Sequence, residues 1–221
     1  MDQQFWFPIQ LSLWVASIAA IIVFVLGILL GRLFVSERIK GKLIWETLFI
    51  LPLVLPPSVI GFLLIMIFGA NSAAGRLVEN VFGFSVMFTP MAAILAAIVV
   101  AFPLMFQSAK MGFFSIDKDI VGAARIDGAS EWGILRNIMI PLAGKALITG
   151  GILSFTRALG EFGATLMFAG NIPGKTQTIP TAIYVALETG DTKLAFIYVL
   201  FSISAAFILL GLTNVLNKRY N

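Results

Sequence analysis

Five stretches of this sequence are apolar for close to a membrane's thickness at a time: roughly Ile9–Gly31, Ile44–Phe68, Thr89–Gln107, Ala146–Ala169 and Leu194–Leu216. The hydrocarbon core of a bilayer takes roughly 20 residues of helix. Inside it every backbone polar group must find its partner within the protein, so only helices or closed barrels can cross. The expected fold is therefore all-α and transmembrane, with about five membrane-spanning helices in a single domain over residues 1–221. Composition agrees: 59% of residues are hydrophobic and 12% charged, where a soluble domain has about 25% charged.

The spans differ among themselves. The first carries Gly27 and Gly31, a small-residue spacing that lets two helices approach closely. The second holds Pro52, Pro56 and Pro57, so it should be kinked or broken. A break is tolerated in a membrane only where neighbours or a cavity satisfy the freed backbone groups. Pro56 and Pro57 are therefore candidates for a bend lining a pathway, with a simple packing kink as the other reading. The third is rich in alanine and marked by Pro103. Met87, Met91 and Met105 suit apolar gaps better than a soft-metal path.

Basic residues set the orientation. With five spans, Arg32, Arg38, Lys40, Lys42, Lys110, Lys118, Arg125, Arg136, Lys145, Lys218 and Arg219 share one side, eleven residues in all, against Arg76, Lys175 and Lys193, three, on the other. The N-terminus is then expected outside and the C-terminus in the cytoplasm. The opening MDQQFWFP has no basic residue, unlike the positive start of a cleaved signal peptide.

The longest hydrophilic stretch, Ser115–Pro141, falls on the basic side. Ser115 and Asp117 are N-cap types ahead of a short helix carrying Ala123, Ala124 and Arg125. Gly128 sits where that helix should stop, because glycine accepts a left-handed turn. Ser130 then restarts a second helix, with Glu131 in its first turn where the helix dipole favours negative charge. Pro141 marks the change into the fourth span. The result is a blunt helix–turn–helix knuckle, or else an ordinary connecting loop.

The spacing favours the knuckle. Ala123-Ala124, three residues, Gly128, nine residues, Ile138, one residue, Ile140-Pro141 resembles the EAA loop of bacterial ABC importer permeases. Gly122 stands where that family has Glu, and Ile140 where it has Leu. The resemblance implies that Ala123, Ala124, Gly128, Ile138 and Pro141 dock into a cytoplasmic ABC ATPase subunit.

The fourth span contains Arg157 and Glu161. Arg157 lies twelve residues past Lys145, roughly 18 Å along a helix, and so near mid-membrane. Each such charge costs about 2.5–3.5 kcal/mol to insert. Four residues apart, the two can face one another, with Gly160, Gly163 and Ala164 alongside. Arg157, Glu161 and Gly163 are candidates for the translocation path. A neutralised pair that fixes helix packing is the other reading, and for direct contact with substrate it is the stronger. Beyond lies AGNIPGKT, residues 169–176, a relaxed phosphate-loop pattern. It lacks the preceding strand and following helix of a nucleotide site, so Lys175 reads as a solvated loop residue.

The segment from Arg157 to Tyr184, and LPLVLPPSVIGFLL in the second span, are similar to the molybdate importer permeases and less closely to those for sulfate. The likeness extends over nearly the whole chain. It implies a type I ABC importer fold in a bacterial or archaeal plasma membrane. The implied partners are two ATPase subunits, an extracytoplasmic molybdate-binding protein, a second copy of the chain and membrane lipid. It implies transport of molybdate, with tungstate close behind; sulfate or another anion is the alternative. The expected outer docking connections are Asn71–Phe88 and Asn171–Lys193.

With neither cysteine nor histidine in the chain, no thiolate or imidazole metal site and no cofactor are expected. No catalytic residues are expected either, since Glu161 is the one deep acid–base candidate. Nothing points to a nucleic-acid partner. A membrane scaffold or receptor without transport remains as a reading from another class.

Overall fold

A computed structural model describes residues 3–36 and 39–219, and within them the side chains of all but Gln3, Phe82 and residues 214–219. Met1, Asp2 and Arg38 thus lie outside the described residues, as do the side chains of Lys218 and Arg219.

The described chain is helical, in the order α1 (Gln3–Val35), α2 (Lys42–Val54), α3 (Pro57–Phe68), α4 (Ala73–Phe82), α5 (Pro90–Phe114) and α6 (Lys118–Ile126), then a rod from Glu131 to Leu142. The rod comprises α7 (Glu131–Ile134), a π-helical turn (Leu135–Met139) and α8 (Ile140–Leu142). After it come α9 (Gly144–Leu159), α10 (Gly163–Phe168), α11 (Ile179–Glu188) and α12 (Thr192–Arg219). Three helices, α1, α5 and α12, are long and apolar enough to cross a bilayer. Two bent pairs bring the number to five if each is counted as one crossing: α2 with α3, bent by 118°, and the rod with α9, bent by 78°.

The core is built from small residues. Lipid tails are as apolar as leucine, so helices in a membrane gain little from hiding hydrophobic surface and associate through close packing. On α5 the row Ala93, Ala97, Ala101, Met105, Ala109 repeats every four residues and is fully buried. Its Met105 and Ala109 face Gly27 and Gly31 of α1, a helix on which Ala19 and Val23 are also fully buried. A β-carbon on Gly31 would stand 2.8 Å from the Ala109 Cβ and 2.9 Å from the Lys110 amide, and one on Gly27 would run into the Met105 side chain. The two helices therefore run parallel in contact. Gly31→Ile should lower the thermal midpoint of the detergent-solubilised chain, costing about 1–3 kcal/mol through overpacking. Gly144→Ala is the control, because a β-carbon there meets nothing within 4 Å.

The second span is broken at its prolines. The residue before a proline is pushed into extended geometry, and Leu55 (φ −70°, ψ 143°) and Pro56 (φ −54°, ψ 138°) both take it. Proline at the first turn costs no hydrogen bond, so α3 restarts at once on Pro57. Below the break, Phe49 of α2 packs edge-on against Phe34, Phe102 and Phe106, with ring centroids 5.2–5.4 Å apart. Lys110 Nζ reaches Glu46 at 2.6 Å.

The fourth span departs from expectation. Instead of running unbroken from Ala146 to Ala169, α9 ends at Leu159 and α10 begins at Gly163. The reason is local: Glu161 folds back so that its Oε1 accepts the Ala164 N–H at 2.8 Å, starting a new helix. The connections expected as outer loops are also partly helical. Asn71–Phe88 contains α4, capped by the Ser72 hydroxyl, which accepts the Gly75 N–H at 2.8 Å. Asn171–Lys193 contains α11, started by a Thr178–Thr181 capping box. The α11 helix is pinned beside the first turns of α1, since the Ile179 N–H donates to Ser12 Oγ at 2.8 Å. Tyr198 at the start of α12 donates to the Phe5 carbonyl at 2.9 Å. The phosphate-loop-like stretch is a closed turn whose Thr176 is fully buried and accepts the Ile172 N–H at 3.0 Å.

Candidate functional site

Two sets of candidate residues lie at different levels of the bundle. The first is the knuckle. The Asp117 carboxylate accepts the Asp119 N–H at 2.9 Å and so caps α6. Ser115 does something else: its hydroxyl donates to the Gly112 carbonyl at 2.8 Å and closes α5. At the other end of α6, Gly128 adopts φ +84°. Its N–H donates to Arg125 O at 3.1 Å, and the Ala129 N–H donates to Ala124 O at 3.0 Å. That pair of bonds is a Schellman closure. Ser130 then caps α7 by accepting the Gly133 N–H at 3.1 Å.

No residue of α6 is buried. Ala123 and Gly128 are exposed at the tip with Ile120, and Ile126 is 89% exposed. Ala124 and Ile138 are half-buried and Pro141 is exposed. Ala124 and Val121 turn toward the bundle core, so the motif divides between an inward anchor and an outward face. At Gly122 a β-carbon would meet nothing within 4 Å. The carboxylate that the EAA pattern has at this position would need no rearrangement of the chain.

One carboxylate organises the charges around the knuckle. Arg125 donates to Glu131 through Nε at 2.6 Å and through an NH2 group at 3.2 Å. Arg32, at the end of α1, donates to the same carboxylate at 2.9 Å. The Arg125 hydrogen bond is the main cause that holds the Glu131 carboxyl below its ordinary value of 4.5, with the charge of Arg32 adding to it. A depressed carboxyl stabilises the folded arrangement fully above the ordinary value and loses that contribution as pH falls through the lower, folded one. Hydrogen exchange at residues 131–133 should therefore stay flat from pH 7 to 5, after correction for intrinsic rates, and rise below pH 4.5. The rise should vanish in Glu131→Gln.

The second set sits at the two broken spans. Gly163 at the start of α10 lies against Pro57 at the start of α3, where a β-carbon would come within 2.9 Å of the Pro57 Cβ. Gly61 likewise admits Ala164 and Met167. Arg157 NH1 reaches Glu161 Oε2 at 2.7 Å, with 30% of the arginine side chain exposed and 1% of the glutamate. Pro56 is exposed. The structure therefore brings Pro57 to Gly163 and Arg157 to Glu161. The Glu161 carboxylate is already committed to Arg157 and to the Ala164 amide. What is left at the surface is a partly open guanidinium carrying its own counter-charge.

Glu161 as the cap of α10 and Glu131 as the link to Arg32 were both missed in the sequence. The Gly160-Glu161-Phe162-Gly163 run was a usable signal for the first. For the second there was none, the partners being 99 residues apart.

A family model described as the binding-protein-dependent transport system inner membrane component matches residues 23–221. The putative molybdenum transport system permease protein YvgM of Bacillus subtilis (strain 168) is 55% identical over 207 residues, 94% of this chain and 91% of that protein. The molybdenum transport system permease protein ModB of Escherichia coli (strain K12) is 39% identical over 184 residues, 83% of this chain and 80% of ModB. Among solved structures, the bacterial alginate ABC transporter in complex with its alginate-pentasaccharide-bound periplasmic protein matches with a TM-score of 0.76 at 16% identity, over 100% of this chain and 80% of that one.

Proposed function

The chain belongs to the family of binding-protein-dependent transport system inner membrane components and has the fold of a type I ABC importer permease, and from that premise we propose that it is the membrane subunit of an ATP-driven molybdate importer. The observation that carries the substrate is the identity to YvgM over nearly the whole chain. Two copies would enclose the path, with the basic knuckle end in the cytoplasm and the N-terminus outside, following the basic-residue bias. An extracytoplasmic binding protein delivers the oxyanion to the end that carries α4 and α11. An ATPase grips the knuckle.

The geometry supports this division of labour. A helix that turns only Val121 and Ala124 inward and presents Ile126 and Ile120 to solvent is a surface suited to a partner. ATP drives the cycle only if it binds the inward-open and outward-open states unequally. The knuckle reports ATPase closure to the membrane, and the α3–α10 pair lies at the two breaks where spans can re-angle. The Arg157–Glu161 pair gives the route a weak positive lining without a trap.

The test is reconstitution in proteoliposomes with the ATPase and binding protein. Labelled molybdate should accumulate only with ATP. Unlabelled tungstate should compete strongly and sulfate weakly. Uptake blocked equally by sulfate would move the assignment to a sulfate permease. An assembly that hydrolyses ATP without moving any oxyanion would remove the transport reading.

A further inference from the structure

We propose that Glu131 is a clasp that fixes the knuckle to α1, and that Glu131, Arg32 and Arg125 are positioning residues for coupling between ATPase and membrane. The proposal rests on the transport reading above and adds to it the part that makes the knuckle a lever. Each charge stands at the helix end whose dipole favours it. Arg32 is in the last turn of α1, Arg125 in the last turn of α6 and Glu131 in the first turn of α7. The carboxylate uses both oxygens, accepting from Arg125 at 2.6 and 3.2 Å and from Arg32 at 2.9 Å. Three helix termini therefore meet on one side chain.

The place of the clasp gives it this role. Arg32, Arg125, Glu131 and Trp132 line a cleft of about 900 Å³ between the end of α1 and the knuckle. Helix α6 is attached in sequence only to α5 before it and to the rod after it, and the rod itself meets α9 at a bend of 78°. A push on α6 could be absorbed at those joints. The clasp sends it instead into α1, which lies in close contact with α5 along the Gly27–Gly31 row. Exposed ion pairs are individually weak and are screened by salt. The clasp therefore fixes the orientation of α6 against α1, is sensitive to salt, and adds little to folding.

The chain has no native cysteine, which permits a direct test. Spin labels at Leu33→Cys and Ile126→Cys, both on exposed positions, report the α1–α6 distance in nanodiscs. Glu131→Gln should broaden that distribution, and raising the salt concentration should broaden it in the parent chain. In the reconstituted transporter, Glu131→Gln should lower molybdate carried per ATP by about threefold to tenfold, inside the roughly twofold to thirtyfold range of coupling changes seen for residues away from both ligands. Arg32→Gln should do the same. The Arg32→Gln/Glu131→Gln double variant should be no worse than Glu131→Gln alone, because that single variant already breaks the Arg32–Glu131 pair. Glu131→Asp should recover part of the loss. Effects that multiply in the double variant, or a label distribution unchanged by Glu131→Gln, would overturn the clasp. Broadened labels in a chain whose parent form carries no oxyanion would instead leave the clasp standing and remove the transport reading.

Discussion

Gly128→Val should cut ATP-driven molybdate uptake at least about tenfold while the chain still inserts and binds lipid, because a β-branched residue held at positive φ costs roughly 1–3 kcal/mol. The cause is purely backbone. A β-carbon at Gly128 meets nothing within 4 Å, yet φ is +84°. No neighbour has to move, so the strain is relieved by opening the Schellman closure and re-angling α6 against α7. That predicts an order among substitutions. Asparagine, which visits the left-handed region more readily than other residues with a side chain, should retain more uptake than alanine, and alanine more than valine. Basal ATPase activity of the assembled complex should persist in all three. A valine variant that transports at the parent rate would mean that the turn does not set the docking geometry.

The second large effect is at Glu161. Glu161→Leu leaves Arg157 without its counter-charge and the Ala164 N–H without its acceptor. Breaking a buried pair by removing one partner costs about 3 kcal/mol or more, and an unpaired charge inside a bilayer costs a similar amount. The expected result is poor insertion and a markedly lower thermal midpoint in detergent. Glu161→Gln should be milder, since its amide oxygen can still accept the Ala164 N–H. Arg157→Leu/Glu161→Gln removes both charges and keeps the cap, so it should regain most of the stability. Uptake by that double variant separates the two roles open for this pair. Full uptake makes it a packing device, and lost uptake in a stable protein places it on the route of the anion.

These expectations show where a sequence speaks plainly. The break between α2 and α3 was written in Leu55-Pro56-Pro57, because proline restricts its own φ and its predecessor's conformation whatever surrounds it. The knuckle was legible for the same reason: Asp117, Gly128 and Ser130 act on backbone groups within three residues. Ser115 was misread because a hydroxyl can start the next helix or close the last one, and the chain's path beyond it decides which. The break at Glu161 had a usable mark in Gly160-Glu161-Phe162-Gly163, but a weak one, because glycine is also common in intact membrane helices. At the break the Glu161 carboxylate folds back onto the Ala164 N–H, with Arg157 beside it as its counter-charge. The pinning of α11 on Ser12 and the clasp on Arg32 depend on which helices become neighbours, and neither partner carries a local mark of that.

The length of α1 has a consequence for the lipid. Its 33 residues make a rod about 50 Å long, while the hydrocarbon slab is about 30 Å thick. The excess must lean or protrude, and the Ser12 and Phe5 hydrogen bonds splice its first turns to α11 and α12. Leaning the rod in a thinner bilayer would drag that spliced cap sideways along with it. Transport should therefore respond to acyl-chain length, falling off in short-chain vesicles where this mast can no longer stand at its own angle.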